Sequence, residues 1–131
     1  MALPNGAGGY QLGDGNLSEV VIGTQAAPTA IAAAAVLTPA QLANGLIVFN
    51  GAAGALTVPT GALLDAAFTS MKVDSSFDFS IINTDAADAA TVTASTGCTL
   101  VGVAVVATTS SCTWRARKTG DATYVFYRIA G

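Results

Sequence analysis

The sequence predicts an all-β protein: an antiparallel β-sandwich or jelly-roll-like domain with one short helix and an extended N-terminal arm. Its 131 residues are the length of one domain with its own core. About nine short runs rich in β-branched and aromatic residues are separated by turn residues, as in all-β domains. The first 18 residues differ in composition from the rest of the chain. There is no fixed-period repeat of the kind that indicates a solenoid.

Residues 1–18 form the predicted arm, and residues 19–131 form the predicted β-sandwich domain. Pro4–Gly9 and Gly13–Asn16 are rich in residues that favour turns and tolerate positive φ. Such a stretch buries too little apolar surface to become ordered by itself. Two interpretations stay open: a frayed terminus, or an arm that becomes ordered on a neighbouring subunit or a partner, with Tyr10 as its anchor.

Two strands are predicted at the start of the domain. Glu19–Gly23 is rich in β-branched residues. Ala30–Leu37 consists almost wholly of small side chains, and Ala is the best helix former. We interpret this run as a strand because Thr29 and Pro39 limit it to a length that suits a strand better.

One helical turn and two more strands come next. Thr38 is placed to cap the turn Pro39–Leu42, and a proline is tolerated at the first helical position because the N–H it lacks would have no partner there. Gly45–Phe49 is predicted to be a buried strand, since it is an apolar run that ends at a turn pair. A short strand is predicted around Leu56–Val58.

The second half contains the most convincing helix, capped by Thr60 and extending to residue 68. Its predicted apolar face comprises Leu63, Leu64, Ala67 and Phe68. Strict alternation in Phe77–Ile81 points the apolar side chains of that strand into the core and Asp78 and Ser80 outward. Five more strands are predicted, at residues 91–93, 99–101, 103–107, 112–117 and 123–129.

Charge and residue content exclude several classes of function. Five basic residues against eight acidic ones, with an isoelectric point near 4.4, predict no binding to nucleic acid or to an anionic membrane. The chain has no histidine, which removes Ser-His-Asp and Cys-His catalysis and the commonest transition-metal ligand. No apolar run approaches the ~20 residues of a membrane-spanning helix. We therefore expect no enzyme activity, no catalytic or metal site and no cofactor.

The cysteines are Cys98 and Cys112, each near the start of a predicted strand. The first residues lack the basic and apolar regions of a secretory signal, so we expect synthesis in a reducing cytoplasm. That compartment favours two buried free thiols. A cross-strand disulfide, formed later in an oxidising medium, stays open as the alternative.

Basic residues are concentrated near the end of the chain. Four of the five lie close together in the predicted C-terminal hairpin: Arg115, Arg117, Lys118 and Arg128. Alternation puts Cys112, Trp114 and Ala116 on the opposite face, with Trp114 expected to cap the core. Six of the eight acidic residues fall between Asp14 and Asp85, so the cations could pair within the subunit or across a subunit interface. Exposed pairs contribute only ~0–1 kcal/mol each, which suits a role in register and specificity.

The low charge content indicates an assembly. Charged residues are 10% of the chain, whereas a soluble domain averages about 25%. A surface so poor in charge is expected to be partly buried in a symmetric homo-oligomer, which also covers open strand edges.

Several segments resemble a family of small virion proteins of tailed bacteriophages. The resemblance covers most of residues 36–130 and rests on residues 38–48 (TPAQLANGLIV), 56–60 (LTVPT), 76–84 (SFDFSIINT), 96–102 (TGCTLVG) and 114–119 (WRARKT). The opening run Gly9–Asn16 (GYQLGDGN) is similar to the start of phage head decoration proteins.

The resemblance implies a capsid decoration (cement) protein: a homotrimer on the capsid surface of the virion, bound to the major capsid protein, that clamps neighbouring capsomers. We expect the arm to contact the capsid or a neighbouring subunit. The arm residues expected to make this contact are Leu3, Tyr10, Gln11, Leu12, Asn16 and Leu17. The alternatives are a head-fibre, tail-fibre or baseplate module, or a glycan-binding module on the virion surface.

Overall fold

The computed structural model describes residues 22–131, which form two β-sheets and two short helices. The prediction of a mainly β protein is confirmed. The strands are β1 (Thr29–Ile31), β2 (Ala35–Val36), β3 (Leu46–Phe49), β4 (Gly54–Thr57), β5 (Ser76–Asn83), β6 (Ala90–Thr93), β7 (Cys98–Val101), β8 (Val105–Val106), β9 (Ser110–Gly120) and β10 (Thr123–Ala130). The helices are α1 (Pro39–Asn44) and α2 (Gly61–Ala67).

The chain passes repeatedly from one sheet to the other. The six-stranded sheet has the order β1-β3-β5-β9-β10-β7, and the four-stranded sheet has the order β2-β4-β6-β8. When the chain returns to a sheet, the new strand lies parallel to the previous strand of that sheet. The parallel series are β1, β3 and β5 in one sheet and β2, β4 and β6 in the other. The first three β–β units are therefore stacked as in a solenoid. No repeat is visible in the sequence because these units differ in length.

The prediction of an antiparallel fold is wrong for most strand pairs. Five of the eight pairings in residues 22–131 are parallel, and only β5–β9, β9–β10 and β6–β8 are antiparallel. The residue composition and side-chain alternation from which the strands were predicted are compatible with both directions. Strand direction depends on the connection, and here each parallel crossover runs through the opposite sheet.

One hydrophobic core is shared by the two sheets. Fully buried side chains come from the six-stranded sheet, among them Trp114, Phe79 and Phe126, and from the four-stranded sheet, among them Leu56 and Val92. The prediction that Trp114 is buried is confirmed. The predicted alternation also holds, because Phe79 and Ile81 are buried whereas Asp78 and Arg115 are exposed.

A buried amide connects the sheets at the end of β5. Asn83 is 1% exposed, and its Nδ2 donates to the carbonyl oxygen of Val106 on β8 at 3.1 Å and to that of Asp88 at 2.9 Å. Its Oδ1 accepts from the Asp85 N–H at 3.0 Å. The buried amide therefore has partners for both its donor and its acceptor, as the burial of a polar group requires.

Both helices begin at the predicted caps. The Thr38 hydroxyl accepts from the Gln41 N–H at 3.2 Å, and the Gln41 side chain accepts from the Thr38 N–H at 2.9 Å. This reciprocal pair is a capping box. Thr60 caps α2 through a 3.3 Å bond from the Leu63 N–H.

The predicted apolar face of α2 is only half right. Leu64 is fully buried and Phe68 half-buried, but Leu63 is 52% exposed and Ala67 is also exposed. The helix instead packs through Gly61, where an added Cβ would lie 1.8 Å from the Ala122 carbonyl oxygen. The buried line is thus residues 61, 64 and 68, and Leu63 is turned to one side of it.

The alanine run 30–37 is not one strand. It divides into β1 and β2, which belong to different sheets, and Ala32–Ala34 form the bend between them. A Cβ added to Gly51 would lie only 1.9 Å from the Ala32 carbonyl oxygen, so the next connection stacks directly against this bend. Small residues are needed here because two backbone segments approach closely.

The predicted arm, including its contact residues Leu3, Tyr10, Gln11, Leu12, Asn16 and Leu17, lies outside the described residues, as does most of the predicted strand 19–23. Ile22 and Gly23, its last two residues, are exposed and not in a strand. Downstream, the Gln25 side chain donates to the Asn44 carbonyl oxygen at 2.9 Å, and Asn44 donates to the Ala27 carbonyl oxygen at 2.7 Å. These bonds fasten the start of the described chain to the end of α1.

Candidate interaction surfaces

Charge divides the described chain into two parts. Residues 22–64, the uncharged region, contain no Asp, Glu, Lys or Arg. Residues 65–131, the charged region, contain all five basic residues and six acidic ones. The uncharged region supplies β1–β4 and α1, and all the remaining strands, β5–β10, come from the charged region.

Two open strand edges lie side by side in the uncharged region. β1 ends the six-stranded sheet and β2 ends the four-stranded sheet, and the short bend Ala32–Ala34 joins them. The exposed side chains here are small or apolar: Ala30, the bend itself, and Val36, which is 67% exposed. Among residues 22–131, no strand pairs with the outer edge of β1 or β2, and the segment 22–64 that contains both edges has no charged side chain.

Three of the four predicted interface cations pair within the subunit. Arg115 binds Asp78 through two bonds, Nε to Oδ1 at 2.7 Å and Nη2 to Oδ2 at 3.0 Å. The register makes this pairing direct, because residues 78 and 115 face each other on β5 and β9. Hydrogen bonding to Arg115 lowers the pKa of Asp78. Both side chains are more than 40% exposed, so this pair adds register rather than much stability.

Arg117 lies two residues after Arg115 on β9, and it binds a side chain of the loop that precedes β5. Its Nη2 contacts Asp74 Oδ1 at 2.8 Å, and its Nη1 donates to the Tyr127 hydroxyl at 3.0 Å. Asp74 has a φ of 74°, a left-handed conformation that is uncommon outside glycine. The Arg117 pair therefore holds the loop before β5 in a backbone geometry that has a steric cost.

Lys118 belongs to the most enclosed ionic cluster. Its Nζ lies 2.8 Å from Asp65 Oδ1, which also accepts from the Tyr124 hydroxyl at 2.7 Å. Asp65 Oδ2 accepts from the Ala122 N–H at 2.7 Å. The hydrogen bonds from Lys118, Tyr124 and Ala122 lower the pKa of Asp65 from 3.8 to about 2, since all of them favour the ionised carboxylate. This cluster fastens α2 to the last hairpin.

Arg128 differs from the other three because it pairs with no Asp or Glu side chain among residues 22–131. Its Nη1 donates to the carbonyl oxygens of Val103 at 2.8 Å and Val105 at 2.6 Å, and its Nη2 donates to a main-chain oxygen of the last residue, Gly131, at 3.3 Å. These valine carbonyls face away from β6, because Ala104 uses its own carbonyl to bind Val92. Arg128 therefore covers the outer edge of β8 and ties β10 to the second sheet.

The structure keeps the two cysteines apart as free thiols. In the strand register, Cys98 on β7 lies opposite Tyr124 on β10, which in turn lies opposite Lys118 on β9. Cys112 is six residues from Lys118 along β9, a distance of about 20 Å at the spacing of residues in a strand. A disulfide requires Cα atoms within ~7 Å, so the alternative of a cross-strand disulfide does not fit this register. Burial raises the pKa of both thiols, which makes them poor nucleophiles.

Residues 22–131 contain no group of three or more Cys, Asp or Glu side chains that is arranged to hold a metal ion. Neither of the two helices in this part of the chain has the length and apolar content to cross a membrane.

Comparison with known proteins finds no matching protein family, no similar curated protein and no similar solved structure. Interpretation therefore depends on the surfaces themselves. Two of their features were not predicted from the sequence. The stretch without charge could have been found in the sequence, because no charged residue lies between Glu19 and Asp65. The bonds of Arg128 to main-chain oxygens could not, because they join strands that are distant in the chain.

Proposed function

We propose that this chain is a structural virion protein, a capsid decoration (cement) protein that binds the outer surface of an assembled phage head. It acts as a homotrimer of β-sandwich knobs, is made in the host cytoplasm and has the major capsid protein as its partner. The observation that carries the proposal is the pair of open edges, β1 and β2, in a region without charge. The resemblance to small phage virion proteins supplies the kind of assembly.

The energetic basis is the burial of small apolar side chains and the pairing of strand edges. Apolar burial contributes about 25 cal/mol per Å², so several modest contacts with the capsid add up to useful stabilisation. Uncharged edges can be buried without desolvating an ion, which costs several kcal/mol per ion. Binding only the mature lattice stabilises that state by mass action.

The proposal assigns β1 and β2 to the capsid side of the knob. The arm contributes additional contacts with the capsid or a neighbouring subunit through Leu3, Tyr10, Gln11, Leu12, Asn16 and Leu17. Such an arm orders on binding, and the entropy lost in ordering is offset by the surface it covers.

The amount of this protein in purified particles tests the proposal most directly. A decoration protein is present in numbers comparable with the major capsid protein, because it occupies repeated positions on the lattice. Quantitative mass spectrometry is expected to find that ratio. A few copies per particle would instead indicate the fibre or baseplate alternative, and absence from the particle would refute a virion role.

A matched pair of variants tests the capsid side. Val36→Lys places a charge beside β2, and Val73→Lys places the same charge at a similarly exposed position, 59% against 67%, in the charged region. Both are expected to fold normally. Val36→Lys should lose co-sedimentation with undecorated capsids, and Val73→Lys should retain it. Equal binding by the two variants would contradict the assignment of β1 and β2 to the capsid.

Deleting residues 2–17 tests the arm separately. The body is expected to remain folded, because residues downstream of 21 supply both sheets, both helices and the hydrophobic core that they share. Co-sedimentation with capsids should be lost. Undiminished binding would refute the role of the arm.

A further inference from the structure

Two asparagine–glycine pairs in the described chain have the same residues and different surroundings. They are Asn44–Gly45, at the end of α1, and Asn50–Gly51, in the connection between β3 and β4. Asparagine is one of the thermolabile residues of proteins. When glycine follows it, no side chain hinders the next main-chain nitrogen from attacking the asparagine amide. The dipeptide is therefore equally reactive at both places, and only the fold distinguishes them.

Three hydrogen bonds hold the Asn44–Gly45 pair. Asn44 Nδ2 donates to the Ala27 carbonyl oxygen at 2.7 Å, and Asn44 Oδ1 accepts from Gln25 Nε2 at 2.6 Å. The Gly45 N–H donates to the Leu42 carbonyl oxygen at 3.0 Å, as part of the cap of α1. The amide is thus fixed on one side and the glycine nitrogen is directed into the helix. The two groups meet only if the end of α1 opens.

The Asn50–Gly51 pair lacks these restraints. Asn50 is exposed, and its one hydrogen bond within residues 22–131 runs from its main-chain N–H to the Ile31 carbonyl oxygen at 2.9 Å. The Gly51 N–H has no acceptor in the same part of the chain. Residues 51–53 form a bend and belong to neither a helix nor a strand. The side-chain amide of Asn50 and the nitrogen of Gly51 are therefore free of the bonds that hold Asn44 and Gly45.

Ring closure at this pair needs no reactant other than water. The main-chain nitrogen of Gly51 forms a bond to Asn50 Cγ, the bond from Cγ to Nδ2 breaks, and the Gly51 proton leaves with the amide nitrogen as ammonia. Water then opens the succinimide ring at one of its two carbonyl carbons. One opening gives aspartate at position 50. The other gives isoaspartate, in which the main chain runs through the side-chain carbon.

Either product puts a negative charge into the uncharged region beside β1. Asn50 is bonded to Ile31, the last residue of β1, and Gly51 stacks against Ala32 in the bend between β1 and β2. Isoaspartate also lengthens the main chain by one carbon atom, where an added Cβ on Gly51 would already lie 1.9 Å from the Ala32 carbonyl oxygen. Conversion therefore changes both the charge and the stacking next to the edges of β1 and β2.

We propose that Asn50–Gly51 is a site of spontaneous deamidation in the folded protein and that the fold protects Asn44–Gly45. Each conversion adds a negative charge next to the edges assigned to the capsid, so attachment weakens as the protein ages. The site stands on the contacts of the two pairs. Only the loss of attachment rests on the proposed function.

Tandem mass spectrometry of the full-length protein, incubated in mildly alkaline buffer, tests the site. Asn50 is expected to convert at least about tenfold faster than Asn44, because three hydrogen bonds must first break at Asn44–Gly45. In guanidinium chloride the two pairs should convert at similar rates, since the chain is then unfolded. Enzymatic methylation of isoaspartate should label position 50 of the folded protein.

Two variants separate the effect of the fold from that of the dipeptide. Gln25→Ala removes the hydrogen bond to Asn44 Oδ1, so it should raise the rate of conversion at Asn44 and leave the rate at Asn50 unchanged. Asn50→Gln keeps an amide on a longer side chain that closes a ring far more slowly, so it should abolish conversion at position 50. Circular dichroism checks that both variants are folded.

Equal rates at Asn44 and Asn50 in the folded protein, or a faster rate at Asn44, would overturn the site. So would an Asn50 that converts in guanidinium chloride and stays intact in the folded chain.

Capsid co-sedimentation tests the loss of attachment separately. Asn50→Asp, which carries the charge of the product, should bind undecorated capsids less well than Asn50→Gln. Equal binding by the two variants would refute the effect on attachment and leave the deamidation site standing. A wild-type protein that does not bind capsids would refute the proposed function together with that effect, and the site would again stand on the mass spectrometry.

Discussion

The uncharged and charged regions both contribute strands to the two sheets, but different kinds of contact hold these strands in place. In the uncharged region, parallel strands stack through small residues, so that the bend at Ala32 contacts the backbone of Gly51. In the charged region, long side chains from β9 and β10 bind carboxylates or carbonyls, as Lys118 does with Asp65. The close packing at Gly51 uses no charged side chain, whereas the ion pairs of the charged region place charged side chains at the surface. The surface left free for a partner therefore follows from how each region is built.

The largest expected effect tests close packing in the uncharged region. Gly51→Val would place a side chain within 1.9 Å of the Ala32 carbonyl oxygen, so the two connections must separate. We expect the free energy of unfolding to fall by about 3 kcal/mol, measured by urea denaturation. Gly23→Val is the control, because nothing lies within 4 Å of a Cβ at that position. Equal stability of the two variants would show that the stacking is looser than described.

A second prediction concerns the ionic cluster of the charged region at low pH. The folded pKa of Asp65, about 2, lies below its usual 3.8. The stabilisation is therefore fully present above about pH 5 and is lost as the pH falls from about 4 to 2. Asp65→Asn should lower the melting temperature at pH 7 and flatten its dependence on pH in that window. Thermal melts at several pH values measure both.

Asp78→Asn is the matched comparison for Asp65→Asn. It removes a carboxylate from an ion pair that is much more exposed, and Asp78 has fewer hydrogen-bond donors around it. We expect a smaller loss of melting temperature, which 1 M salt largely masks because exposed pairs are screened. An equal or larger loss than for Asp65→Asn would contradict the ranking of the two pairs.

The capping box of α1 provides a smaller test in the uncharged region. Thr38→Ala removes the hydroxyl that accepts from the Gln41 N–H, and such a loss typically costs ~1 kcal/mol. Thr38→Ser keeps the hydroxyl and is expected to retain most of the stability. Urea denaturation of both variants separates the cap from the methyl group.

The smallest expected effect concerns the thiols. Because Cys98 on β7 and Cys112 on β9 are far apart in the strand register, adding a reductant should leave the melting temperature unchanged, and mass spectrometry after alkylation under denaturing conditions should count two free thiols. A stabilising disulfide within the chain would instead lower the melting temperature on reduction and would contradict the register.

Local features were predictable from the sequence because they depend on neighbouring residues. The caps at Thr38 and Thr60 follow from a hydroxyl placed before a short helix, and the buried faces of β5 and β9 follow from strict alternation. Burial of Trp114 needed no more than its position in that alternation. For the same reason the division of Ala30–Leu37 was missed, since alanine carries no signal of face or direction.

The amino-acid sequence by itself determined where most strands and both helix caps occur and that the protein is poor in charge. Only the tertiary structure decided strand direction, the partners of the cations and which edges stay open. Alternation is a property of a few adjacent residues, but a parallel pair or an ion pair joins residues that are distant in the chain, as Asp65 and Lys118 are. Those distances close only when the whole chain has folded, so the bonds of Arg128 to main-chain oxygens could be recognised only there.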